Sequence, residues 1–268
     1  MNIEYQYIDA NIRDYNGISF VDNEFNQILK NEVKNKLLDT TQKIEMLSVL
    51  NTLKSETGFE ASETLLLDIQ ALQNQNVDVQ DFRIGEALAE VCLEKHFNCR
   101  FYWNELRDTR NPKGNKTGAD LVGFIEIQNE VLFLFGEVKT SSEQKSPPQV
   151  MTNPKGIENQ LIDLYNDQNK RRILITYIQG KIGLNNSNFK KDFDNAIRSY
   201  YQPNESKYLL YGVLVRDTGV NKNDIKQSYD KLKNQILDSI GLRLLAIYVS
   251  IPKNQWLNII NGVENVSN

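Results

Sequence analysis

Hydrophobic residues recur at a helical spacing through the first third of the chain. Ile44, Leu47 and Leu50 are three residues apart, which places them on one face of a helix. Asp22 or Asn23 could cap an earlier helix, since their side chains accept hydrogen bonds from free backbone N–H groups. We therefore predict two short strands joined by a turn at 14–17, followed by helices at about 22–38, 40–54 and 61–72.

Helical and strand-like segments follow one another more closely after residue 80. Asp81–Lys95 has apolar residues at helical spacing. Asn153-Pro154 is typical of a helix start, because Asn caps a helix and Pro fits its first turn. Apolar runs predict strands at 99–103, 119–127, 131–138, 173–178, 208–215 and 242–251, and further helices are predicted at about 153–165, 190–199 and 224–237.

This order of elements predicts an α/β fold. Strands that alternate with helices build a mixed central sheet flanked by helices, here with an α-rich N-terminal region. A soft boundary near residue 79 divides the chain into an acidic, mostly helical region of residues 1–79 and a larger region of residues 80–268. We expect the N-terminal region to regulate the larger one or to dock a partner.

Charge is distributed unevenly along the chain. The formal net charge is −4, but residues 1–80 carry 6 basic and 13 acidic residues, whereas the remaining residues carry 25 and 22. An acidic front therefore precedes a mildly basic body. Either these are two solvated surfaces of opposite sign, or the acidic front blocks an anionic ligand of the body.

The sequence has no feature of a secreted or membrane protein. Cys92 and Cys99 are the only cysteines, too few for a disulfide framework or a metal-ligand array. No apolar stretch is long enough to span a bilayer, and the N-terminus lacks the pattern of a signal peptide. We expect a cytoplasmic protein without membrane contact. His96 is the only histidine, so a histidine-based hydrolase has little to work with.

Two apolar runs joined by a polar turn predict an antiparallel hairpin around Asn129. Such a hairpin places Asp120, near the start of the first strand, opposite about Val138 in the second strand. Glu137 and Lys139 are the neighbours of Val138, and they share one face of that strand because side chains alternate. Two carboxylates and one ammonium should therefore meet at one end of the sheet.

Charges at the end of an interior strand are costly unless they are paired or bound to a metal. Two carboxylates suit Mg²⁺, which prefers oxygen ligands, and Mn²⁺ can substitute for it. A lysine beside such an ion can orient the attacking water and offset charge in the transition state. The group therefore indicates phosphodiester hydrolysis, although a Glu-x-Lys pair alone is often only a surface ion pair.

The segments "GAD", 118–120, and "GEVK", 136–139, resemble the motif of the PD-(D/E)xK nuclease superfamily. Ala119 stands where the motif has Pro. The resemblance implies a restriction-endonuclease-like core, with metal held by Asp120 and Glu137 and water assisted by Lys139. It also implies an acidic residue on the preceding helix. Glu86 is the first candidate for that metal ligand and Glu90 the second, but two glutamates four residues apart are more often a solvated helix face.

The segments "RIGEALAE", "GADLVGF" and "FGEVKTSS" are similar to the HamA family, the nuclease subunits of the Hachiman antiphage defence system. This resemblance implies a Mg²⁺-dependent DNA nuclease that works with a helicase partner, HamB. Two other interpretations stay open. The chain could be a catalytically silent module that binds nucleic acid or a partner, or a restriction or repair nuclease outside antiphage defence.

The loop from Arg107 to Lys116 directly precedes Asp120 and is rich in basic residues. Its side chains could neutralise phosphates of a DNA backbone, and the alternative is an ordinary solvated loop. The predicted nucleic-acid contacts are Arg107, Arg110, Lys113 and Lys116.

Overall fold

A computed structural model describes residues 1–10, 12–108, 118–183, 187–202 and 206–263 of the protein. These residues form an α/β fold around a seven-stranded mixed sheet, which confirms the predicted fold class. The strands are β1 (Asn2–Ala10), β2 (Arg13–Ser19), β3 (Cys99–Arg100), β4 (Leu121–Ile127), β5 (Glu130–Ser141), β6 (Leu209–Arg216) and β7 (Gly241–Tyr248).

The strand order in the sheet is β1-β2-β7-β6-β5-β4-β3. Neighbours from β2 to β5 run parallel, whereas β1, β4 and β3 pair antiparallel at the two edges. Parallel strands covered on both faces are apolar nearly throughout. Accordingly, every residue of β6 is buried.

Helices cover both faces of the sheet. The helices are α1 (Asp22–Ile28), which continues through a π-helical turn (Leu29–Val33) into α2 (Lys34–Leu38), then α3 (Thr40–Ser55), α4 (Glu63–Gln73), α5 (Asp81–His96), α6 (Gln149–Thr152), α7 (Ile157–Asn166), α8 (Gln168–Lys181), α9 (Ser187–Tyr200), α10 (Asn223–Lys233) and α11 (Trp256–Asn261). One apolar core lies between the sheet and a layer that includes α1, α5 and α11, and the second lies between the sheet and α7 to α10.

The strand predicted at 173–178 is wrong. These residues lie in α8, where Leu174, Ile175 and Ile178 are buried on one side. A short apolar run has the same hydrophobic pattern in a buried strand and in a helix. The β-branched isoleucines in this run are typical of a strand. In the folded protein, packing against the sheet stabilises the helix instead.

The helix start predicted at Asn153-Pro154 is also wrong. A short helix, α6, precedes these residues, and α7 begins only at Ile157. The Asn153 side chain accepts a hydrogen bond from the Lys155 backbone N–H at 2.9 Å. Asn therefore closes a local turn, which is the other common use of this residue type.

The turn predicted at 14–17 is wrong because these residues lie inside β2. Gly17 pairs with Tyr5 of β1 on one side and with Ala246 of β7 on the other. An Asn-Gly pair is typical of a turn, but here it pairs with strands on both sides and lies within the sheet. The other predicted helices and strands are confirmed to within a few residues, except that β3 is shorter than predicted and that α6 and α11 were not predicted.

The first two strands belong to the same sheet as the rest of the chain. β2, which lies before the predicted boundary at residue 79, pairs with β7, which lies after it. The division at residue 79 stays a prediction. None of the described helices is long and apolar enough to cross a membrane.

Candidate active site

A two-residue turn sets the register of the hairpin formed by β4 and β5. Gln128 and Asn129 have positive φ angles of 51° and 66°, as in the tight turns that join antiparallel strands. Leu121 pairs with Gly136, so Asp120 lies next to the opposing Glu137. The register differs by one residue from the predicted one, because the turn is centred between residues 128 and 129 and not on 129.

The hairpin brings Asp120, Glu137 and Lys139 together. Oδ2 of Asp120 accepts a hydrogen bond from the backbone N–H of Val138 at 3.0 Å. The Lys139 ammonium donates to the Glu137 carboxylate, and its Nζ lies 3.9 Å from Asp120 Oδ2. The ammonium therefore stands between two carboxylates whose backbones are fixed by one β-ladder.

Burial and repulsion act on the Glu137 carboxyl. The residue is only 6% exposed. Burial, followed by the negative charge of Asp120, raises the pKa of Glu137 to about 7, and the Lys139 ammonium opposes this shift. One ammonium thus leaves the carboxylate pair short of positive charge, a condition that a divalent cation would relieve.

The three side chains line an open cleft of about 730 Å³. Glu86 reaches the same cleft from α5 and Gln160 reaches it from α7. Lys155, just before α7, and Lys253, after β7, add two cations to its lining. The end of the hairpin therefore faces a solvent-accessible space with both signs of charge.

The structure separates the two glutamates of α5. Glu86 lines the cleft and bonds to the Arg83 guanidinium, with Nη1 2.9 Å from Oε2. Glu90 instead forms an ion pair with Lys36, at 2.7 Å. Of the two candidates, Glu86 is the one that lines the same cleft as the carboxylates of the hairpin.

A glycine lets α5 pack closely against β5 next to the cleft. A side-chain Cβ at Gly85 would overlap Oγ1 of Thr140, the residue after Lys139. Gly136 likewise leaves no room for a Cβ, which would overlap the backbone carbonyl oxygen of Tyr211 in β6. The glycines of "RIGEALAE" and "FGEVKTSS" thus have a packing reason.

A buried arginine holds the C-terminal end of β5, close to the cleft. The guanidinium of Arg216 pairs with Asp224, with Nε 3.2 Å from Oδ2, and both side chains are almost completely buried. Its Nη1 also lies 3.4 Å from the carbonyl oxygen and from Oγ of Ser141. This network fixes the strand end that follows Glu137 and Lys139.

The donor set fits a hydrated magnesium ion. Among the described residues, no cluster of three or more His, Cys, Asp or Glu side chains could enclose a metal. Mg²⁺ usually keeps several waters and takes one or two protein carboxylates. Asp120, just before β4, and Glu137 on β5 would supply two such carboxylates, and Glu86 lines the same cleft.

The predicted nucleic-acid contacts are placed away from the cleft lining or lie outside the described residues. The Arg107 guanidinium binds the carboxylate of Asp39, with Nη2 2.9 Å from Oδ1, and stacks 4.8 Å from the ring centroid of Trp103. Arg107 thus links Asp39, just before α3, to the segment that contains Trp103. Arg110, Lys113 and Lys116 lie outside the described residues.

Sequence reasoning missed Lys155 and Lys253 as cleft residues. Lys155 lies in the turn between α6 and α7, and Lys253 lies in a single 3-10 turn after β7; neither belongs to a recognisable motif. The parallel pairing of β5, β6 and β7 brings Lys253 to the end of the sheet where the hairpin places its charged residues. No signal in the sequence alone would have identified them.

Comparison with known proteins gives one family. A model of the HamA family matches residues 14–260. No curated protein and no solved structure matches the chain. Because the family match covers nearly the whole chain, the protein belongs to the HamA family, and this membership supports a Hachiman-type defence protein.

Proposed function

We propose that the protein is a metal-dependent nuclease that hydrolyses phosphodiester bonds of DNA in antiphage defence. The observation that carries the proposal is the meeting of Asp120, Glu137 and Lys139 at the wall of one open cleft. Membership of the HamA family supports the defence role.

Each side chain has a distinct task in this proposal. Asp120, fixed by the Val138 N–H, and Glu137 would hold Mg²⁺ or Mn²⁺. The bound ion would supply Lewis acidity towards the phosphate and favour deprotonation of water. Lys139 holds the attacking water by hydrogen bonding and offsets the negative charge that grows on the phosphate oxygens. Water oxygen bonds to phosphorus as the bond to the leaving oxygen breaks; the attacking water loses a proton to solvent, and the leaving oxygen takes one up from solvent.

The site favours an enzyme over a catalytically silent binding module. A module that only binds a partner needs no ammonium between two carboxylates, and burial of Glu137 costs free energy in the absence of a bound cation. A restriction or repair nuclease would use the same chemistry. We favour defence on the family membership alone.

The proposed partners are DNA and a helicase. A nuclease without restraint would damage the DNA of its own cell, so we propose that the helicase partner controls when the cleft receives DNA. The acidic N-terminal region supports this restraint, because residues 40–79 carry 2 basic and 6 acidic residues and would repel a polyanion.

The test is cleavage of supercoiled and linear DNA with Mg²⁺ or Mn²⁺, by the wild type and by Glu137→Gln. We expect the substitution to reduce the rate by roughly 100-fold or more, and EDTA to abolish cleavage. Glu130→Gln is a matched control, because Glu130 lies at the opposite end of β5 and also pairs with a lysine, Lys207, at 3.3 Å. This control should cleave like the wild type.

A second arm of the test adds the helicase partner and ATP. Cleavage that appears only in this arm, and that Glu137→Gln abolishes, supports a restrained nuclease. A wild type that never cleaves in either arm, or a Glu137→Gln variant that cleaves as fast as the wild type, contradicts the proposal.

A further inference from the structure

The cleft poses an electrostatic problem for an anionic substrate. Its lining contains four carboxyl groups, and a DNA strand brings one negative charge for each phosphate. The Lys139 ammonium is already engaged with Glu137. A bound metal would compensate the phosphate that reacts, but not the phosphates beside it. The four carboxyl groups are those of Asp81, Glu86, Asp120 and Glu137.

Lys155 and Lys253 are the cations of the cleft best placed to neutralise these neighbouring phosphates. Both line the cleft, although they come from loops before α7 and after β7. Within the described residues of the chain, neither ammonium has an ion-pair or hydrogen-bond partner. Some lysines outside the cleft are used internally, as in the ion pair of Lys36 with Glu90. The two cleft lysines are therefore available to a ligand.

The backbone at both lysines is fixed. The N–H of Lys155 donates to Asn153 Oδ1 at 2.9 Å, and the N–H of Lys253 donates to Asp217 Oδ2 at 2.9 Å. Lys155 is exposed and Lys253 is half-buried. Each side chain thus extends from an anchored turn, so its position is defined while its ammonium keeps its full capacity for external hydrogen bonds.

We infer that Lys155 and Lys253 bind backbone phosphates of the DNA strand, beside the phosphate that Asp120 and Glu137 address. The inference rests on the proposed nuclease function and extends it, since it states how the substrate is held. Lysine is a point charge and reads no base edge in such a contact, so these contacts position the strand without sequence preference. Both are substrate-positioning residues.

The experiment measures DNA binding separately from cleavage. A fluorescent duplex of about 20 base pairs and the matching single strand are titrated with protein in EDTA, by anisotropy, over a series of NaCl concentrations. One lost phosphate contact lowers the slope of log K against log salt by about 0.9 for a duplex and about 0.7 for a single strand. Lys155→Gln with Lys253→Gln should therefore lower it by about 1.8 or 1.4, and weaken binding at about 0.1 M salt by about 25- to 60-fold.

Three comparisons make the result specific. Lys191→Gln, an exposed lysine on α9 outside the cleft lining, should leave the slope unchanged. Lys155→Arg with Lys253→Arg should restore the slope, because charge is kept. With Mg²⁺ present, the double glutamine variant should raise KM more than it lowers kcat. Circular dichroism should report the same fold for all variants.

Two outcomes overturn the inference. If the double glutamine variant keeps the wild-type slope, the lysines do not contact phosphate, and the proposed nuclease function still stands on the cleavage test of Glu137→Gln. If the wild type binds neither form of DNA and never cleaves, the inference and the proposed function fail together.

Discussion

At the scale of the residue, the raised pKa of Glu137 predicts a pH dependence of stability. Its folded pKa of about 7 exceeds the ordinary value of 4.5. The folded protein therefore binds this proton more tightly than the unfolded chain, so the extra stability is fully present below pH 4.5 and is lost as pH rises through about 7. Glutamine at this position cannot ionise, so a Glu137→Gln variant does not lose stability in this way as the pH rises.

The measurement is urea unfolding of the wild type and of Glu137→Gln in EDTA, from about pH 5 to about pH 8. We expect the free energy of unfolding of the variant to rise relative to the wild type by about 1–3 kcal/mol over this range. Saturating Mg²⁺ should remove most of the difference, since a bound cation stabilises the ionised carboxylate. If the free energies of unfolding of the wild type and of Glu137→Gln change with pH in the same way in EDTA, the prediction is contradicted.

Residues that meet through local pairing could be predicted from the sequence. Asp120 and Glu137 belong to one hairpin, and a two-residue turn fixes their register, so counting from the turn brings them together. Lys253 meets them only through the pairing of distant strands, which no local pattern encodes. The burial that sets the pKa of Glu137 is equally a property of the folded molecule.

At the scale of the element, the close contact of α5 with β5 predicts a specific compensation. Gly85→Ala should lower the free energy of unfolding by about 1–3 kcal/mol, because the new methyl group overlaps Oγ1 of Thr140. Combining it with Thr140→Ala should recover most of the loss, since the Thr140 Cβ would stay 3.5 Å from the new methyl group.

A double-mutant cycle by chemical denaturation checks this prediction. Thr140→Ala alone is the control for loss of the threonine hydroxyl. Additive effects of the two substitutions would show that the overlap is not what makes Gly85 necessary. A coupling of the expected sign would show that the glycine in "RIGEALAE" serves the packing of the helix that carries Glu86.

The elements that were predicted correctly and those that were not differ in length and context. Long amphipathic segments such as α5 and α9 have a helical period that packing does not change. The run at 173–178 is short, and the Asn-Gly and Asn-Pro pairs have more than one structural use. In those cases packing against the surrounding sheet determines the local structure, and a short stretch of sequence does not contain that information.

At the scale of the whole molecule, the pairing of β2 with β7 predicts that residues 80–268 do not fold alone. Removing the first 79 residues would remove β1 and β2 and expose the edge of β7. It would also remove Phe25, Leu29 and Val33 from the core that contains α5. We expect this fragment to be insoluble or to lack cooperative unfolding.

Expression of the fragment 80–268 beside the full chain, followed by thermal unfolding, checks this expectation. A soluble fragment with a sharp transition would support the division at residue 79. A fragment from 12 onward, which keeps β2 and loses only β1 from the edge of the sheet, is the matched control and should fold.

The same pairing orders events during synthesis of the chain. Arg13 of β2 pairs with Leu242 of β7, so β2 must wait for a partner strand that is synthesised much later. The hairpin of β4 and β5 can close by itself much earlier, because its contacts are local. A nascent chain therefore carries its carboxylates and its lysine long before the sheet that buries and aims them is closed. The candidate active site is therefore complete only after translation past β7.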